Sequence, residues 1–523
     1  MVGGPPAPLE RVRPMPRRRR SLATRLAIVL GSAVLLLVAI GGAGIAFAWN
    51  HASVDTVGKV ALDRQLAIPP LARSTVDAAG RRVFDLTAQS GSTDLGGDEP
   101  SPTWGFNGSY LGPTLRAHRG ERVLVELHND LPVATTVHWH GMHLPARYDG
   151  GPHQMVAPGG TWEPTWRIDQ PAATLWYHPH PHGETADHVS RGLAGLFILD
   201  DDESDRLPLP HTYGVDDLPV IVQDKDVRGN GHLGSGSGRT IVVNGTVGPY
   251  AAVSTERVRL RLLNGSSMRV FDFRLDNGEP FDLVATGGGL MAHKASLDHI
   301  RLAPGERAEV VVTMQPGERR VLRSVDPDLG SNFLSSHFDG GDAKFDVLEL
   351  RAADTLQPSP AVPDVLSTTN LAMAGTESES VRTRTFSLSG HSINGRQMVM
   401  DRVDFAPILD TTETWQVVNT EDTAHSFHVH DVQFRVLSVD GRQPAPELSG
   451  LKDTVYLEPH RHYRLLLRFT DYADPDSVYM VHCHMLRHED AGMMLQFAVV
   501  EPGDRPGELA AVPATRHTEG HTH

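Results

Sequence analysis

A strand-like run that ends in asparagine occurs three times in the chain, and this repeat limits the folds available to it. Each run is followed by a proline turn that leads into another strand-like run. The runs cover residues 121–129, 256–264 and 413–419, and the turns are Ala157-Pro158-Gly159, Ala303-Pro304-Gly305 and Glu458-Pro459-His460. Both markers recur in the same order at intervals of about 135 to 157 residues, close to the length of one domain. The repeat therefore predicts an all-β chain of three related β-sandwich domains.

The stretches between the repeats indicate where the domains end. An acidic run at residues 200–205 closes the first domain, and a stretch with several Pro, Ser and Thr residues at 352–379 separates the second from the third. The totals of 50 Gly and 37 Pro fit a turn-rich β protein. We predict a basic and hydrophobic N-terminal segment, three domains and a disordered tail at residues 1–50, 61–205, 212–352, 380–502 and 503–523, respectively.

The N-terminal segment predicts export from the cytoplasm. Residues 17–20 are arginines, and they precede an uncharged run at 26–49 that is long enough to cross a bilayer as a helix. Because basic residues stay on the cytoplasmic side, the chain after Trp49 is expected on the extracytoplasmic face of the membrane, or secreted or periplasmic after cleavage. Residues 46–48, Ala-Phe-Ala, offer a cleavage site, but the apolar run exceeds the usual signal-peptide core, which favours an uncleaved anchor.

The only cysteine, Cys483, lies between His482 and His484. Because a disulfide needs two cysteines, the chain has no internal disulfide framework. Successive side chains on a strand point to opposite faces, so the two imidazoles face one way and the thiol the other. One tripeptide can therefore contact two metal centres. A Cys with two His and a distant Met is the ligand set of a blue-copper electron-transfer site. Cys483, His488 and Met493 supply three of these ligands, and the second histidine comes from elsewhere in the chain.

Histidine pairs with the spacing His-x-His occur seven times, against about 1.5 expected for random placement. The pairs 460/462 and 521/523 are assigned to a strand start and to the tail. The remaining groups are His138-Trp139-His140, His178-Pro179-His180, His425-Ser426-Phe427-His428-Val429-His430, and His482-Cys483-His484 with His488 and Met493. Two groups fall in the first domain and two in the third, while the comparable position of the second reads Phe271-Asp272-Phe273. This pattern predicts a copper cluster between the first and third domains, with the second as a copper-free spacer.

These four groups resemble the copper-ligand motifs of three-domain multicopper oxidases, the family of laccases and bacterial copper oxidases. The similarity extends over about residues 61–500 and includes Asp-Gly-Gly-Pro at 149–152 and Asp-Gln-Pro-Ala-Ala at 169–173. Residues 221–224 and 488–494 place the nearest likeness among bacterial copper-tolerance, or cuprous, oxidases. The resemblance implies three cupredoxin-like Greek-key β-sandwich domains after the N-terminal hydrophobic helix.

The resemblance also implies four copper ions. It assigns the type 1 ion to His425, Cys483, His488 and Met493, the type 2 ion to His138 and His428, and the type 3 pair to His140, His178, His180, His430, His482 and His484. Asp149 and Glu489 match the proton-relay carboxylates of the family, and the alternative interpretation of each is a surface salt bridge. Glu421 lies close to the point where related oxidases have an acidic residue at the substrate site, and its alternative interpretation is a solvated turn.

The implied activity is one-electron oxidation of phenol-like compounds or Cu(I), coupled to reduction of O2 to water. Its partners would be a small-molecule electron donor, O2 and, if the N-terminal helix is uncleaved, the membrane. Met373, Met398 and Met400 are scattered rather than gathered in a methionine-rich insertion, which favours a laccase-like activity over a cuprous oxidase; bilirubin oxidation is a further alternative. The non-enzyme alternatives are a copper-free scaffold in cell division and a copper store. The net charge of -16 and the pI of about 5.9 argue against nucleic acid as a partner.

Overall fold

The computed structural model describes residues 44–507 and 509, together with residues 4, 21, 23, 26, 30, 41 and 42. By its contacts the chain divides into two compact units, residues 1–52 and residues 53–523. Strands dominate the described part of the second unit and form six sheets, which confirms the predicted all-β fold of β-sandwich domains. The predicted domain boundaries stay a prediction.

The N-terminal unit contains the segment that is predicted to cross a membrane. Residues 44–52 are helical, but most of the predicted span at 26–49 lies outside the described residues, as does most of the predicted tail at 503–523. Within the described residues, no helix combines the length and the apolar character that a membrane span requires. Membrane anchoring and export therefore stay predictions.

The first pair of sheets encloses one buried apolar core. Its six-stranded sheet contains β2 (Ser74–Val76), β3 (Arg82–Thr93), β4 (Ser101–Phe106), β6 (Arg122–Asn129), β8 (Thr161–Trp162) and β9 (Thr165–Arg167). Its four-stranded sheet contains β5 (Leu115–His118), β7 (His138–His140), β10 (Ala173–His178) and β11 (Gly195–Asp200). Phe84 and Val125 from the first sheet belong to the same buried cluster as Trp139 and Phe197 from the second.

The second pair of sheets encloses a separate core. Its eight-stranded sheet contains β12 (Asp217–Val227), β13 (Leu233–Gly234), β14 (Thr240–Val243), β15 (Thr246–Val247), β17 (Arg257–Asn264), β19 (Phe281–Thr286), β20 (Gly289–Leu297) and β22 (Arg307–Thr313). Its six-stranded sheet contains β1 (Arg64–Gln65), β16 (Pro249–Thr255), β18 (Phe271–Leu275), β21 (Ile300–Leu302), β23 (Arg319–Val325) and β24 (Lys344–Gln357). Val220 and Leu260 from one sheet and Phe271 and Leu348 from the other share its apolar cluster.

The third pair of sheets contains Cys483 in its core. Its six-stranded sheet contains β25 (Ser380–Ser389), β26 (Ser392–Ile393), β27 (Thr411–Asn419), β29 (Phe434–Val439), β30 (Leu451–Lys452) and β32 (His462–Phe469). Its four-stranded sheet contains β28 (His425–Val429), β31 (Thr454–Leu457), β33 (Tyr479–Cys483) and β34 (Met494–Phe497). Trp415 and Leu465 from one sheet and Phe427 and Cys483 from the other lie in one buried cluster.

Short helices connect these strands. The α-helices cover Thr185–Arg191, Asp202–Arg206, Phe333–Phe338 and Leu486–Asp490. The 3-10 helices cover Ala146–Tyr148, Asn370–Ala374, Glu377–Glu379 and Pro446–Leu448. The helix Leu486–Asp490 directly follows the Cys483 tripeptide, and it carries His488 and Glu489.

The three repeated runs of the sequence form the strands β6, β17 and β27, and these occupy the same place in their sheets. Each repeated strand pairs in parallel with an earlier strand: β6 with β3, β17 with β12 and β27 with β25. Each also pairs antiparallel with a strand that follows the proline turn: β6 with β8 and β9, β17 with β22 and β27 with β32. The repeat therefore reflects one strand arrangement that occurs three times.

The asparagine that ends each repeated strand is fully buried, and its side-chain amide makes the same hydrogen bonds in each case. Its Oδ1 accepts from the backbone N–H two residues further along the chain, and its Nδ2 donates to two backbone carbonyls. One of these carbonyls belongs to the residue before the proline turn: Val156 for Asn129, Leu302 for Asn264 and Leu457 for Asn419. Because a buried amide must satisfy its donors and its acceptor, the asparagine and the turn recur together.

The four-stranded sheets of the first and third pairs carry the histidine motifs. His138 lies opposite His178 between β7 and β10, and His428 lies opposite His482 between β28 and β33. The last histidine of three motifs lies just beyond the end of its strand: His180, His430 and His484. The predicted placement of His482 and His484 on one strand is therefore wrong for His484, because β33 ends at Cys483, whereas both His138 and His140 lie within β7.

Arg307 joins the three pairs of sheets. Its guanidinium is buried and donates two hydrogen bonds to the carboxylate of Asp453 in the third pair, at 2.7 and 2.6 Å. It also donates to the backbone carbonyl of Thr174 in the first pair at 3.0 Å and to that of Gly287 in the second at 2.8 Å. A planar guanidinium suits this set of acceptors because its N–H groups point in fixed directions. Arg307 thus fixes Asp453 relative to all three cores.

We expect Arg307→Met to destabilise the copper-free protein by about 3–5 kcal/mol, because it leaves the buried carboxylate of Asp453 without its partner. Arg319→Met is the matched control, since Arg319 pairs with Glu349 at 3.5 Å and is 66% exposed; its loss should cost less than about 1 kcal/mol. Urea unfolding of both variants, followed by fluorescence, measures the difference. Equal midpoints for the two variants would contradict the role given to Arg307.

Candidate metal centres

The first candidate centre lies around Cys483. The Cys483 Sγ is 3.5 Å from His425 Nδ1 and 3.6 Å from His488 Nδ1, and all three side chains are largely or fully buried. Burial raises the pKa of the Cys483 thiol, but hydrogen bonds and charge attraction from the two histidines outweigh burial and hold the pKa well below its usual range. A thiolate beside two imidazoles is a ligand set that suits copper. These residues form the Cys483 centre.

Met493 directly precedes β34 and packs in the core that contains Cys483. It is fully buried in the apolar cluster that contains Cys483, whereas its neighbour Met494 belongs to a different apolar cluster. The backbone N–H of Cys483 also donates to the backbone carbonyl of Met493 at 3.1 Å. Met493 rather than Met494 therefore shares the buried core of Cys483. The predicted axial ligand is therefore compatible with this geometry.

The second candidate centre is a buried cluster of eight histidines, the histidine cluster. In one part, the Nε2 of His482 lies 3.2 Å from the Nε2 of His180 and 3.2 Å from the Nε2 of His430. In another, the Nε2 atoms of His138 and His428 are 3.5 Å apart. Each of these rings is at most 1% exposed. Convergence of imidazole nitrogens at these distances is what a shared metal site requires.

The third part of the histidine cluster contains His140, His178 and His484. The Nε2 of His178 is 3.4 Å from the Nδ1 of His140 and 3.4 Å from the Nε2 of His484. His140 therefore presents Nδ1 to its neighbours, unlike the other rings. Its Nε2 is 2.9 Å from the Oδ1 of Asp453 and is held away from the cluster.

Burial favours the neutral form in six of the eight imidazoles of the histidine cluster. His482 differs, because burial is outweighed there by attraction to Glu489, which raises its pKa above the usual value. Burial and, after it, repulsion by neighbouring cationic groups lower the pKa well below its usual value in His140, His178, His428, His430 and His484. The same effects lower the pKa of His180 to about 3, against attraction from Glu489. A neutral imidazole keeps one lone pair for a metal ion. The twelve predicted ligands thus comprise imidazoles, a thiolate and a thioether, a set that fits copper better than magnesium or calcium.

Asp149 contacts two histidines of the cluster. Its Oδ2 is 2.6 Å from the Nδ1 of His430, and its backbone carbonyl is 3.0 Å from the Nδ1 of His138. The side chain is fully buried, and its Oδ1 has no hydrogen-bond partner among the described residues. Asp149 is therefore a carboxylate directly behind the cluster rather than part of a surface salt bridge.

Glu489 also lies directly behind the histidine cluster. Its two oxygens are 3.3 Å from the Nδ1 of His180 and 3.2 Å from the Nδ1 of His482. Burial raises the pKa of Glu489, but attraction to these two imidazoles outweighs burial and holds the pKa well below its usual value. The side chain is almost completely buried. An ionised carboxylate is thus held between two cluster histidines from different sheet pairs.

Glu421 lies beside the Cys483 centre. Its Oε1 is 2.7 Å from the Nε2 of His425, and its Oε2 accepts a hydrogen bond from the backbone N–H of Gly390 at 2.8 Å. Burial opposes ionisation of this carboxyl, but the hydrogen bonds from His425 and Gly390 hold its pKa below its usual value. The neighbouring Asp422 points elsewhere and contacts the exposed His460 at 2.7 Å. Glu421 therefore orients the His425 ring.

Asp453 belongs to no sequence motif, yet it contacts the histidine cluster twice. Besides its contact with His140, its backbone carbonyl is 2.9 Å from the Nδ1 of His428. The hydroxyl of Thr454 also lies 2.9 Å from the Nε2 of His140. The register of β31 against β28, which puts Thr454 opposite His428, brings both residues there. No spacing rule along the chain predicts such a register.

A second group without a sequence motif links the histidine cluster to the surface. His143 lies between two carboxylates, with its Nδ1 2.8 Å from Asp431 and its Nε2 3.0 Å from Asp471. Burial lowers the pKa of His143, but the two carboxylates raise it to about 10. Asp431 directly follows the cluster residue His430 and has a φ of 73°. These ion pairs tie the loop after His430 to the first pair of sheets.

Comparison with known proteins identifies the family. Models described as multicopper oxidase match residues 87–204, 219–323 and 357–503. The multicopper oxidase mco of Staphylococcus epidermidis is 34% identical over 448 residues, which cover 83% of this chain and 92% of that protein. The cell division protein FtsP of Dickeya dadantii is 36% identical over 445 residues, which cover 82% of this chain and 91% of that protein.

A solved structure gives the same result. The laccase-like multi-copper oxidase CueO from the lignin-degrading bacterium Ochrobactrum sp., described as having oxidase activity towards lignin model compounds and lignosulfonate, superposes with a TM-score of 0.75. The two sequences are 33% identical, and the match covers 83% of this chain and all of that one. With three matching family models and relatives of this similarity along most of its length, the chain belongs to the multicopper oxidase family.

Proposed function

We propose that the chain is a laccase-like oxidase that takes single electrons from phenolic donors or Cu(I) and reduces O2 to water with four bound copper ions. The observation that carries this proposal is the continuity of the tripeptide His482-Cys483-His484. The thiol belongs to the Cys483 centre, while the imidazoles on both sides of it belong to the histidine cluster. Electrons accepted at the first centre thus have a short covalent path to the second. Neither a copper store nor a binding scaffold needs such a connection.

The ligand sets suit a division of labour between the two centres. Bound copper supplies one-electron redox chemistry at the Cys483 centre and the means to bind and reduce O2 at the histidine cluster. One ion would be held by His425, Cys483, His488 and Met493, a second by His138 and His428, and a pair by His140, His178, His180, His430, His482 and His484.

Reduction of one O2 to two water molecules consumes four electrons and four protons, so proton donors are needed beside the cluster. Glu489 contacts the outer nitrogens of His180 and His482, and Asp149 contacts that of His430. A carboxylate in these positions can take a proton from water and release it toward the cluster. The burial of both carboxylates supports this role over that of a surface ion pair.

Phenolic donors are favoured over Cu(I). Met398 belongs to a small apolar cluster with Met480 and Met494, which supports core packing rather than a soft-metal docking site. The activity towards lignin model compounds described for the Ochrobactrum enzyme also supports a phenolic donor. We therefore propose phenols as the main class of substrate.

A second candidate function is a binding role in cell division. The similarity to the FtsP protein of Dickeya dadantii favours it. A scaffold has no requirement for metal ligands, whereas all twelve predicted ligands are present in this chain. The oxidase is therefore the first proposal, and the two functions are distinguished by experiment.

The direct test combines copper content with O2 uptake. We expect the reconstituted protein to bind four copper ions per chain and to consume one O2 for every four molecules of a one-electron donor, with water as the product. Elemental analysis and an oxygen electrode measure both quantities, and copper-free protein is the control. Full copper loading without O2 uptake would identify a store, and absence of both would favour the scaffold.

Cys483→Ser should remove the blue absorption and the oxidase activity, because charge transfer between thiolate and copper requires this cysteine. The histidine cluster should keep its ions, so that copper per chain falls from four to three. Absorption spectroscopy and elemental analysis measure these changes. A variant that stays blue and active would rule out the Cys483 centre.

Glu489→Gln should slow turnover by about 100-fold, because the amide keeps the shape of the carboxyl but cannot carry a proton. Reduction of the Cys483 centre by a donor under anaerobic conditions should stay fast. Glu501→Gln, which changes an exposed acid of the same region, is the control. Unchanged kcat across the pH range for Glu489→Gln would leave this residue a purely structural role.

A further inference from the structure

The two histidines of the Cys483 centre differ in how far they are covered. The side chain of His425 is fully buried, and its Nε2 faces the Oε1 of Glu421 at 2.7 Å. The other carboxylate oxygen of Glu421 is held by the backbone N–H of Gly390. The edge of His425 that points away from Cys483 is thus already covered by protein atoms, so a donor cannot reach it without displacing Glu421.

His488 is the more accessible of the two ligands. It is 9% exposed, and the ring of His391 lies against it with a centroid distance of 5.2 Å and an interplanar angle of 50°. His391 is exposed, and its ring makes no hydrogen bond to a described residue. It lies in the turn between β25 and β26, and the contact of Gly390 with Glu421 anchors this turn. One turn therefore holds Glu421, which covers His425, and places against His488 an imidazole that is open to solvent.

The charge and the apolar surface around His488 determine which kind of electron donor is favoured. Burial raises the pKa of the Asp339 carboxyl above its usual value, and the weaker attraction to His488 opposes this rise. The helix that ends just before Asp339 exposes large apolar side chains: Phe333 at 77%, Leu334 at 57% and Phe338 at 49%. An acid next to apolar and aromatic surface is suited to a neutral or cationic aromatic molecule rather than an anion.

We propose that His391 is the docking residue for the electron donor, which stacks on its exposed ring and passes one electron through the contact between His391 and His488. This inference rests on the proposed oxidase function and specifies its donor site. A phenol that binds there loses one electron to the Cys483 centre and its hydroxyl proton to water, and it leaves as a phenoxyl radical. His391 itself is unchanged by the step. Asp339 favours neutral or cationic donors over anionic ones.

The test uses the copper-loaded full chain and the bleaching of its blue absorption under anaerobic conditions. We expect His391→Ala to lower the second-order rate constant for reduction by a neutral phenol about fivefold, the size of one lost aromatic contact. His391→Phe should restore most of that rate, and both variants should keep the wild-type blue spectrum. His462→Ala, which changes an exposed histidine on β32, is the matched control. The phenol should reduce this variant at the wild-type rate.

Two further measurements separate docking from other effects. Asp339→Asn should speed reduction by ferrocyanide several-fold and leave the rate with the neutral phenol unchanged. In copper-free protein, anisole, which resembles a phenol but carries no acidic proton, should shift the NMR signals of the His391 ring and leave those of His462 in place.

The proposal is overturned if the donor reduces the His391→Ala variant at the wild-type rate. It is also overturned if this variant has an altered blue spectrum, because His391 would then act on the geometry of His488. Anisole shifts of equal size at His391 and His462 would also overturn it. A wild-type protein that is not blue, or that no donor reduces, would contradict the oxidase function itself and is recognised before any variant is compared.

Discussion

Contacts between the outer imidazole nitrogens and protein oxygens determine what the histidine cluster can bind. In seven of its eight rings, one nitrogen lies within 3.3 Å of a protein oxygen. The proton stays on that nitrogen, so the lone pair of the other nitrogen points inward. Burial favours the neutral form in six of the eight rings, so inward lone pairs line the cluster, and such groups are costly to bury without a partner. Binding of cations that accept nitrogen ligands removes this cost.

The sandwich architecture holds these rings in place from three directions. The first and third pairs of sheets each supply two histidine motifs on facing four-stranded sheets. The second pair supplies no cluster histidine, but its Arg307 binds Asp453, which orients His140 and His428 from behind. The second pair of sheets, which Phe271-Asp272-Phe273 predicts to be a copper-free spacer, therefore also helps to orient two histidines of the cluster. Glu489 adds a further link, because it bridges His180 of the first pair and His482 of the third.

Much of this arrangement could be predicted from the sequence because it depends on local pattern. The repeated asparagine and proline turn reflect one buried amide that bonds both segments, so the fold repeats wherever the markers do. The histidine spacings also identify the rings that meet. Asp453 and Asp431 could not be found in this way, since each reaches its partner through sheet register or a loop that no periodicity describes. The contact of His391 with His488 likewise depends on a turn that is held by Glu421, which lies in the loop between β27 and β28.

The central claim is that the twelve ligand side chains hold copper as one centre at Cys483 and one cluster of histidines. Anomalous scattering from crystals of the copper-loaded protein, measured on both sides of the copper absorption edge, tests it most directly. We expect one peak within bonding distance of the Cys483 Sγ, the His425 Nδ1 and the His488 Nδ1. Three further peaks should lie among the eight cluster histidines, with His140 bound through Nδ1. An empty histidine cluster, or copper bound only at exposed histidines, would contradict the account.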